Sequence, residues 1–344
     1  MVKIGICGHF ANGQTSYNGQ TIKTINVSSE LEKKYLEENI LKVDTYNWKK
    51  HPLRLFINCI KLAKKSDDII IFPAHKGVKI FVPLFVYLKK IFKFKLHYIV
   101  IGGWLPSLVK DNDFIKKNMK KIDCIYIENY KMVEELKKIG IDNSIQMNNF
   151  KNLKVTETKK RNNDNKFKCC IFSRIEEKKG INEAIDVIDE LNFNGNIKVE
   201  LDIYGKISDI YKNEFYNKIK NKDKYIKYCG VVNSTKSVEV IENYDLLLFP
   251  TKYFTEGIPG TIIDAYFSKV PVLASRWENF DEIIDEGKTG FGFEFDNKED
   301  FKNKLSYLIY NKNILMKMKE NCGKKALFYT PAESMKVLFN NIDD

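Results

Sequence analysis

The chain has 344 residues, which is long for one hydrophobic core and enough for two domains. Hydrophobic residues at 44% and charged residues at 30% exclude a disordered or fibrous protein. The net charge of +12 directs attention to nucleic acid and anionic membranes as partner classes.

Cysteine usage and the amino terminus indicate the compartment. Seven cysteines, an odd number without a C-x-x-C pair, argue against a disulfide framework and a zinc site. The first residues, MVKIGICGHF, lack the basic leader and long apolar core of a signal peptide. The best apolar stretch, IFVPLFVYL at 80–88, is too short to cross a bilayer. We therefore expect a cytoplasmic protein.

Short apolar runs alternate with longer amphipathic segments, which is typical of βαβ units and parallel sheets. The predicted strands of the first half are KIGIC, KVDTY, DIIIF, LHYIVI, CIYI and SIQM. Residues 154–168 are polar and predict a linker. The predicted strands beyond it are CCIF, KVELDIY, YIKYCG, DLLLFP, VPVLA and GFGF, and from about residue 298 the pattern is helical. We predict an α/β protein with domains at 1–155 and 165–327.

The first loop, GHFANGQTSYNGQTIKT, leaves the first predicted strand and opens a helix. Amides around Gly19 are expected to approach a phosphate closely. The loop is not G-x-G-x-x-G, which disfavours a dinucleotide dehydrogenase. A plain flexible loop is the alternative.

The segment FSRIEEKKGI at 172–181 follows a predicted strand and places two cations in a loop. Arg174 can hold a diphosphate by its planar fork and Lys179 as a point charge. Both side chains are expected to be exposed. The alternative is a solvated helix start in which Glu176 and Glu177 pair with the neighbouring lysines.

The segment DLLLFPTKYFTEGIPGTIIDAYFSK, from residue 245, combines a buried strand, a loop and a helix. Glu256 lies in the loop, and Pro259 suits a first helical position, which places Asp264 about one turn into the helix. The crevice at the carboxyl end of such a strand is where phosphates and nucleotides bind in parallel sheets. Capping is the alternative for Asp264, because Thr261 and Asp264 have capping-box spacing.

Together these segments resemble the retaining glycosyltransferases of the GT-B type, family 4. That family carries two acids separated by seven residues, as at Glu256 and Asp264, and a G-R-L-x-x-x-K-G motif, here SRIEEKKG. LDIYG and YIKYCG resemble its strand ends, and NGQTIKT and IGGWLP are similar to members that build bacterial surface polysaccharides. The resemblance implies two Rossmann-like domains facing each other across a cleft. It also implies that the helix at 328–344 packs back on the first domain.

The resemblance implies a role for each side chain of the donor site. Glu256 would bind hydroxyls of the donor sugar, and Asp264 would bind the ribose hydroxyls. Arg174 and Lys179 would neutralise the diphosphate, which makes these two and Glu256 the implied catalytic residues. Further donor contacts are implied at Gly19, Gly257, Gly260 and Thr261.

Three positions depart from the family pattern. Asp264 stands where glutamate is usual, and Ser173 replaces the glycine before the arginine. Many relatives carry a histidine after the fourth strand, where this chain has IGGWLP. His75 and Trp104 are the nearest acceptor-side candidates, although an ordinary loop histidine and a packing tryptophan are the alternatives.

The implied function is transfer of a sugar, with retention, from a nucleotide diphosphate donor to a glycan or lipid-linked glycan in surface polysaccharide biosynthesis. The resemblance favours UDP-sugars. No metal or other cofactor is expected, because arginine and lysine serve the diphosphate and the DND at 111–113 predicts a helix start. The alternatives are a non-catalytic nucleotide-sugar-binding protein and a basic nucleic-acid-binding protein, although no recognised nucleic-acid motif supports the latter.

The positive charge is concentrated in the first domain. Residues 1–150 contain 25 Lys plus Arg against 14 Asp plus Glu, which accounts for +11 of the net +12. Residues 49–95 carry twelve cations against two aspartates. A basic face gains about 1 kcal/mol for each cation close to an anionic leaflet. We therefore predict peripheral binding through residues 49–95 to the inner face of the plasma membrane, with no nucleic-acid partner.

Overall fold

The computed structural model describes residues 2–11, 19–157, 166–194, 198–233 and 235–344. Contacts between Cα atoms divide the chain into two units. The amino-terminal domain comprises residues 1–152 with 331–344, and the carboxyl-terminal domain comprises residues 153–330. The final helices therefore belong to the amino-terminal domain.

The amino-terminal domain contains a six-stranded parallel sheet of order β2-β1-β3-β4-β5-β6. Its strands are β1 (Ile4–Gly8), β2 (Ile40–Asp44), β3 (Asp68–Ile71), β4 (Lys95–Ile99), β5 (Cys124–Ile127) and β6 (Ser144–Gln146). Three inner strands, β1, β3 and β5, are buried along their whole length, because helices cover both faces of the sheet. The strand order reverses at β1, which pairs with β2 on one side and β3 on the other.

Within the described residues of this domain, eight helices accompany the sheet. They are α1 (Gly19–Tyr35), α2 (Pro52–Lys65), α3 (His75–Phe92), α4 (Leu105–Lys110), α5 (Asp113–Met119) and α6 (Tyr130–Lys138), with α14 (Pro331–Ser334) and α15 (Lys336–Asp343) from the end of the chain. Met335, Leu338 and Ile342 of the terminal segment are buried in one of the domain's two apolar cores. This burial attaches the end of the chain to the amino-terminal domain.

The carboxyl-terminal domain contains a second parallel sheet, of order β12-β11-β10-β7-β8-β9. Its strands are β7 (Lys166–Phe172), β8 (Lys198–Tyr204), β9 (Ile226–Tyr228), β10 (Leu246–Phe249), β11 (Val272–Ser275) and β12 (Gly290–Phe293). The order reverses between β7 and β10, which are neighbours although β8 and β9 lie between them in sequence. This is the strand order of dinucleotide-binding α/β domains.

Seven helices in the part of this domain that the structure describes cover the two faces of the second sheet. They are α7 (Ile181–Asn194), α8 (Lys212–Ile219), α9 (Ser237–Ile241), α10 (Gly260–Phe267), α11 (Phe280–Ile283), α12 (Lys298–Tyr310) and α13 (Lys312–Ala326). Short 3-10 turns occur at 37–39, 177–179, 209–211 and 327–329. Two separate apolar clusters, one on each face, form the core of this domain.

The predicted α/β architecture with two Rossmann-like domains is confirmed. The predicted linker extends too far, because β7 begins at Lys166 and pairs along its length with β8. Residues 158–165 of that linker lie outside the described residues, as do residues 12–18 of the first loop. No helix within the described part of the chain is long and apolar enough to cross a membrane.

Candidate functional site

Two loops leave the carboxyl edge of the second sheet side by side. One follows β7 and carries Arg174 and Lys179, and the other follows β10 and carries Glu256. The two strands are paired neighbours, with Leu246 opposite Cys169. Because the strand order reverses between them, the following connections run in opposite directions and leave a crevice. The predicted cations and the predicted carboxylate therefore share one switch point, which we call the donor edge.

Two glycines allow the loops of the donor edge to approach neighbouring backbone. Gly205, directly after β8, has a φ of 142°, and a Cβ there would lie 1.7 Å from the Ser173 carbonyl oxygen. Gly180 has a φ of 68°, and a Cβ there would lie 1.8 Å from the Pro250 carbonyl oxygen. Any other residue at either position would be strained and would push the loops apart.

An ion pair between Lys179 and Glu256 lies at the centre of the donor edge. Lys179 Nζ lies 2.5 Å from Glu256 Oε2, and Thr251 Oγ1 donates to the same oxygen at 3.2 Å. Lys179 Nζ also lies 4.9 Å from the centroid of the Tyr253 ring, within cation–π range. Asn279 Nδ2 donates to the backbone carbonyl of Glu256 at 2.7 Å. Two side chains thus hold one carboxylate oxygen of Glu256, and a third fixes its backbone.

The expectation that Lys179 is exposed is wrong. Its side chain is only 11% exposed, because Glu256 and the Tyr253 ring cover it. Burial raises the pKa of the Tyr253 phenol, so this ring stays neutral at physiological pH. The alternative in which Lys179 pairs with Glu176 or Glu177 is also wrong, since its partner is Glu256.

Arg174 is the more exposed of the two predicted cations of the donor edge. Its side chain is 73% exposed, and its guanidinium lies 3.4 Å from Glu176. The backbone beside it is fixed, because the Ile175 amide donates to Lys206 and the Ile175 carbonyl accepts from Ser208. The guanidinium therefore projects from a rigid segment and retains most of its surface for a ligand.

Helix α10 begins at the donor edge without a capping side chain. Pro259 is the N-cap, and helical geometry starts at Gly260. The first N–H groups of a helix have no partner within it, and they favour an anion. The Thr261 hydroxyl is buried without a hydrogen-bond partner among the described residues. This helix start can therefore donate to a phosphate.

The capping-box alternative for Asp264 is wrong. Because Pro259 occupies the N-cap, Thr261 is the second helical residue and Asp264 the fifth. Asp264 is 5% exposed, whereas the Glu256 side chain is 22% exposed. Its carboxylate is the less accessible of the two acids, and its binding to a ribose stays a prediction.

The carboxyl edge of the first sheet has a different chemistry. Gly19 is the exposed first residue of α1. Gln20 Nε2 donates to the Phe72 carbonyl at 2.8 Å, and His9 Nδ1 lies 2.8 Å from Thr21 Oγ1. These side-chain bonds fix the first turn of α1 over the ends of β1 and β3, where the strand order reverses.

A buried ion pair reinforces this attachment. Lys23 Nζ lies 2.5 Å from Glu128 Oε1 and 3.4 Å from the Val100 carbonyl oxygen. The side chains are 6% and 14% exposed. Buried charges persist only when they are paired and hydrogen-bonded, as these are. The pair ties α1 to the ends of β4 and β5.

His75 and Trp104, the two acceptor-side candidates, contact each other. Their ring centroids lie 5.0 Å apart in an edge-to-face arrangement, and Trp104 Nε1 donates to the Ile101 carbonyl at 2.8 Å. His75 also lines a cavity of about 290 Å³. Other residues that line it include His9, Gln20, Thr45, Trp48, Phe72 and Lys76. The amino-terminal domain thus offers a small ring-lined pocket at its own switch point.

The DND segment begins a helix, as predicted. The Asn112 side chain caps α5 by accepting from the Ile115 amide at 3.0 Å. Within the ranges that the structure describes, no group of three or more His, Cys, Asp or Glu side chains could hold a metal ion.

Several site residues were not anticipated from the sequence. Thr251 immediately follows a predicted strand, a position that could have drawn attention to it. Asn279 gives no such signal, because it is 23 residues beyond Glu256 and reaches its backbone only through the fold. His9 and Trp48 follow the first and second strands, where side chains at a sheet edge accumulate.

The model of the family described as glycosyl transferases group 1 matches residues 154–326, half of the chain. This range contains the whole donor edge. The chain belongs to the glycosyl transferases group 1 family. The GT-B class of fold, with two Rossmann-like domains, is confirmed by solved structures that cover the full chain.

The following relatives of this group 1 chain share little sequence identity with it. The uncharacterised glycosyltransferase MJ1069 of Methanocaldococcus jannaschii is 23% identical over 244 residues, which is 67% of this chain and 58% of that protein. The chain thus spans less than two thirds of that relative. Anabaena HepE in complex with UDP has a TM-score of 0.77 at 14% identity, covering 99% of both chains. The lipopolysaccharide outer core galactosyltransferase WaaB has a TM-score of 0.72 at 15% identity, also covering 99% of both.

Proposed function

We propose that this protein is a retaining, metal-independent glycosyltransferase that moves a sugar from a UDP-sugar to a hydroxyl of a glycan or lipid-linked glycan. The observation that carries the proposal is the donor edge, where Lys179, Glu256, Arg174 and the uncapped start of α10 adjoin one switch point. A diphosphate needs cations and N–H donors, and a sugar needs a fixed carboxylate. This edge offers all three.

The family and the structural neighbours support the choice of donor. Anabaena HepE was solved with UDP and with UDP-glucose, and WaaB is named a galactosyltransferase. In our proposal the uncapped N–H groups of Gly260 and Thr261 take phosphate oxygens. Gly257 contributes backbone near the sugar, and Asp264 binds the ribose, while a contact from the Gly19 amide stays a prediction.

The reaction is proposed to proceed on one face of the sugar. The acceptor oxygen forms a bond to the anomeric carbon while the bond from that carbon to the diphosphate oxygen breaks. The departing diphosphate receives the electron pair, and one of its oxygens accepts the acceptor's hydroxyl proton. Arg174, Lys179 and the α10 amides stabilise the charge that develops on the leaving group.

The role of Glu256 follows from its contacts at the donor edge. Glu256 is held by Lys179 and Thr251, and it orients hydroxyls of the sugar while positive charge develops at the anomeric carbon. Its tight pairing with a lysine suits a charged orienting group more than an attacking nucleophile. A covalent sugar adduct trapped on Glu256 would contradict the one-face reaction.

The acceptor and the location complete the proposal. We propose a role in surface polysaccharide biosynthesis at the inner face of the plasma membrane, with the acceptor on the amino-terminal domain near His75 and Trp104. The ring-lined cavity there and the concentration of positive charge in residues 1–150 support this part. Rings and a few polar groups are typical of pockets that bind small organic ligands.

The experiment is a thermal-shift panel of nucleotides and nucleotide sugars, followed by turnover of whichever donor stabilises the protein. We expect UDP and one or more UDP-sugars to raise the melting temperature, and slow donor hydrolysis to persist in EDTA. The anomeric configuration of the product, read by NMR, is expected to match that of the donor. Binding without turnover of any acceptor or water would instead indicate a nucleotide-sugar sensor, and strict metal dependence would contradict the scheme.

A further inference from the structure

Helix α2 has two apolar faces, and only one is used by the core. Cys59, Leu62 and Ala63 are buried against the sheet. A second set, Leu53, Phe56 and Ile57, recurs at i, i+3 and i+4 and so lies along another face of the helix, whereas Ile60 at i+7 is partly buried and packs against the core. Leu53 is 78%, Phe56 47% and Ile57 51% exposed. We call Leu53, Phe56 and Ile57 the α2 stripe.

All the charged residues of the α2 segment are cations. Residues 49–65 contain six lysines and arginines and no aspartate or glutamate. All six are exposed, and none forms an ion pair with a residue that the structure describes: Lys49, Lys50, Arg54, Lys61, Lys64 and Lys65. An apolar face combined with a lysine-rich polar face is typical of helices that lie in a membrane interface.

Helix α3, which packs against α2, repeats the arrangement. Ile80, Tyr87 and Ile91 are exposed at i, i+7 and i+11, on one face of the helix. Lys76, Lys79 and Lys90 of α3 and Lys93 directly after it are exposed as well, which brings the exposed cations of residues 49–95 to ten. Two adjacent helices thus leave large apolar side chains exposed to water. A single exposed apolar residue would need no explanation, but a set on neighbouring helices does.

Two lysines of this region bind other groups of the same domain. Lys89 Nζ lies 2.6 Å from Asp123, and Lys95 Nζ donates to the Asn341 carbonyl at 3.3 Å. They are poorly placed to meet an external anion. The basic segment at 49–95 is therefore not uniformly available, and α2 is its most open part.

The chemistry of the α2 stripe favours a bilayer over other anionic partners. Nucleic acid is held mostly by hydrogen bonds and ion pairs to phosphates, and a duplex buries most of its apolar base surface in the stack, away from a helix that lies on it. An anionic membrane provides negative headgroups at the level of the lysines and acyl chains just below them. One helix face can then satisfy both sets of side chains.

We propose that α2 lies in the headgroup region of an anionic bilayer and inserts Leu53, Phe56 and Ile57 among the acyl chains, with α3 alongside. This partner rests on the proposed function, since a lipid-linked acceptor would be reached from the same surface. Charge brings the domain to the membrane, and the apolar stripe holds it there. Salt therefore weakens the electrostatic part of the attachment but not the apolar part.

The test is sedimentation of the full chain with vesicles of phosphatidylglycerol and phosphatidylcholine. Leu53→Ser/Phe56→Ser/Ile57→Ser should lower the partition constant at least about tenfold, at low and high salt. Arg54→Gln/Lys61→Gln/Lys64→Gln should lower it roughly 100-fold at low salt and much less at high salt. The control is Phe193→Ser/Ile210→Ser, which removes side chains that are 89% and 99% exposed on the other domain. It should bind as the parent does.

Insertion has its own readout. In Leu53→Trp, brominated lipids should quench tryptophan fluorescence more than in the parent, whereas Ile210→Trp should show no added quenching. Vesicle binding without added quenching at position 53 would overturn insertion. A parent that ignores anionic vesicles, but binds duplex nucleic acid or dimerises through the stripe, would overturn the membrane as partner.

The outcome is separable from the donor chemistry. UDP-sugar hydrolysis in solution should be unchanged in the α2 variants, because none of these residues belongs to the donor edge. Loss of vesicle binding with normal hydrolysis in the triple serine variant supports the proposal. Failure of the parent to bind UDP would overturn the proposed function and leave the vesicle result standing.

Discussion

Each sheet of this protein carries a lysine–glutamate pair at its carboxyl edge, and the two pairs differ in their surroundings. Lys23 and Glu128 lie 2.5 Å apart with side chains 6% and 14% exposed, and Lys23 also donates to a backbone carbonyl. Lys179 and Glu256 lie at the same separation with side chains 11% and 22% exposed. The second pair adjoins the uncapped start of α10 and the exposed Arg174, whereas the partners of the first pair all lie within its own domain.

The difference separates a structural pair from a binding pair. Lys23 and Glu128 connect α1 to the ends of β4 and β5, so their partners are complete within the amino-terminal domain. Glu256 is held in place, but the groups beside it, namely Arg174 and the first amides of α10, are those that an anion would recruit. The same two residue types can thus serve stability in one domain and ligand binding in the other.

The largest effect is expected at Glu256. Glu256→Gln should lower turnover by about 100- to 1000-fold, as removal of one charge-stabilising group does in other enzymes. UDP affinity should change little, because this carboxylate is assigned to the sugar. Glu177→Gln, an exposed carboxylate of the neighbouring loop, is the matched control and should keep parental activity. Equal losses of UDP binding and turnover in Glu256→Gln would remove its assignment to the sugar.

The second effect concerns stability in the other domain. Lys23→Met should lower the free energy of unfolding by about 3 kcal/mol, because it leaves the largely buried Glu128 without its partner. The melting temperature should fall by roughly 10 °C. Lys23→Met/Glu128→Met should recover most of the loss, since no unpaired charge remains. A single variant as stable as the parent would show that this pair is not structural.

The third effect is smaller and concerns the nucleotide. Asp264→Asn should weaken UDP about tenfold, which corresponds to loss of one charged hydrogen bond to a ribose hydroxyl. The change is isosteric, so the melting temperature without ligand reports any structural cost at this 5% exposed site. Unchanged UDP affinity in a stable variant would show that the buried carboxylate has another role.

Much of the fold was predictable because strand and helix periodicity is local. The strands at Cys124–Ile127, Lys198–Tyr204 and Gly290–Phe293 match the predicted segments residue for residue. The order of the strands is not local, and it decides which loops meet. That β7 and β10 are neighbours, and hence that Lys179 reaches Glu256, could be inferred only through the family resemblance.

The errors have local physical causes. Pro259 at the N-cap moves the helix start and removes Thr261 from the capping position. The Tyr253 ring covers Lys179, and no pattern in the sequence signals that contact. The α2 stripe was missed for a related reason. The periodicity of Pro52–Lys65 shows apolar residues on two faces, but only the structure shows which face is buried.

The most direct test of the donor edge is calorimetric titration of UDP into the parent, Lys179→Met and Trp104→Ala. Lys179 is assigned to the diphosphate and Trp104 to the acceptor side of the other domain. We predict that Lys179→Met weakens UDP at least about tenfold, as expected for the loss of a cation from a phosphate site, and that Trp104→Ala binds UDP as the parent does. Parental UDP affinity in a folded Lys179→Met protein, or a comparable loss in Trp104→Ala, would contradict this account.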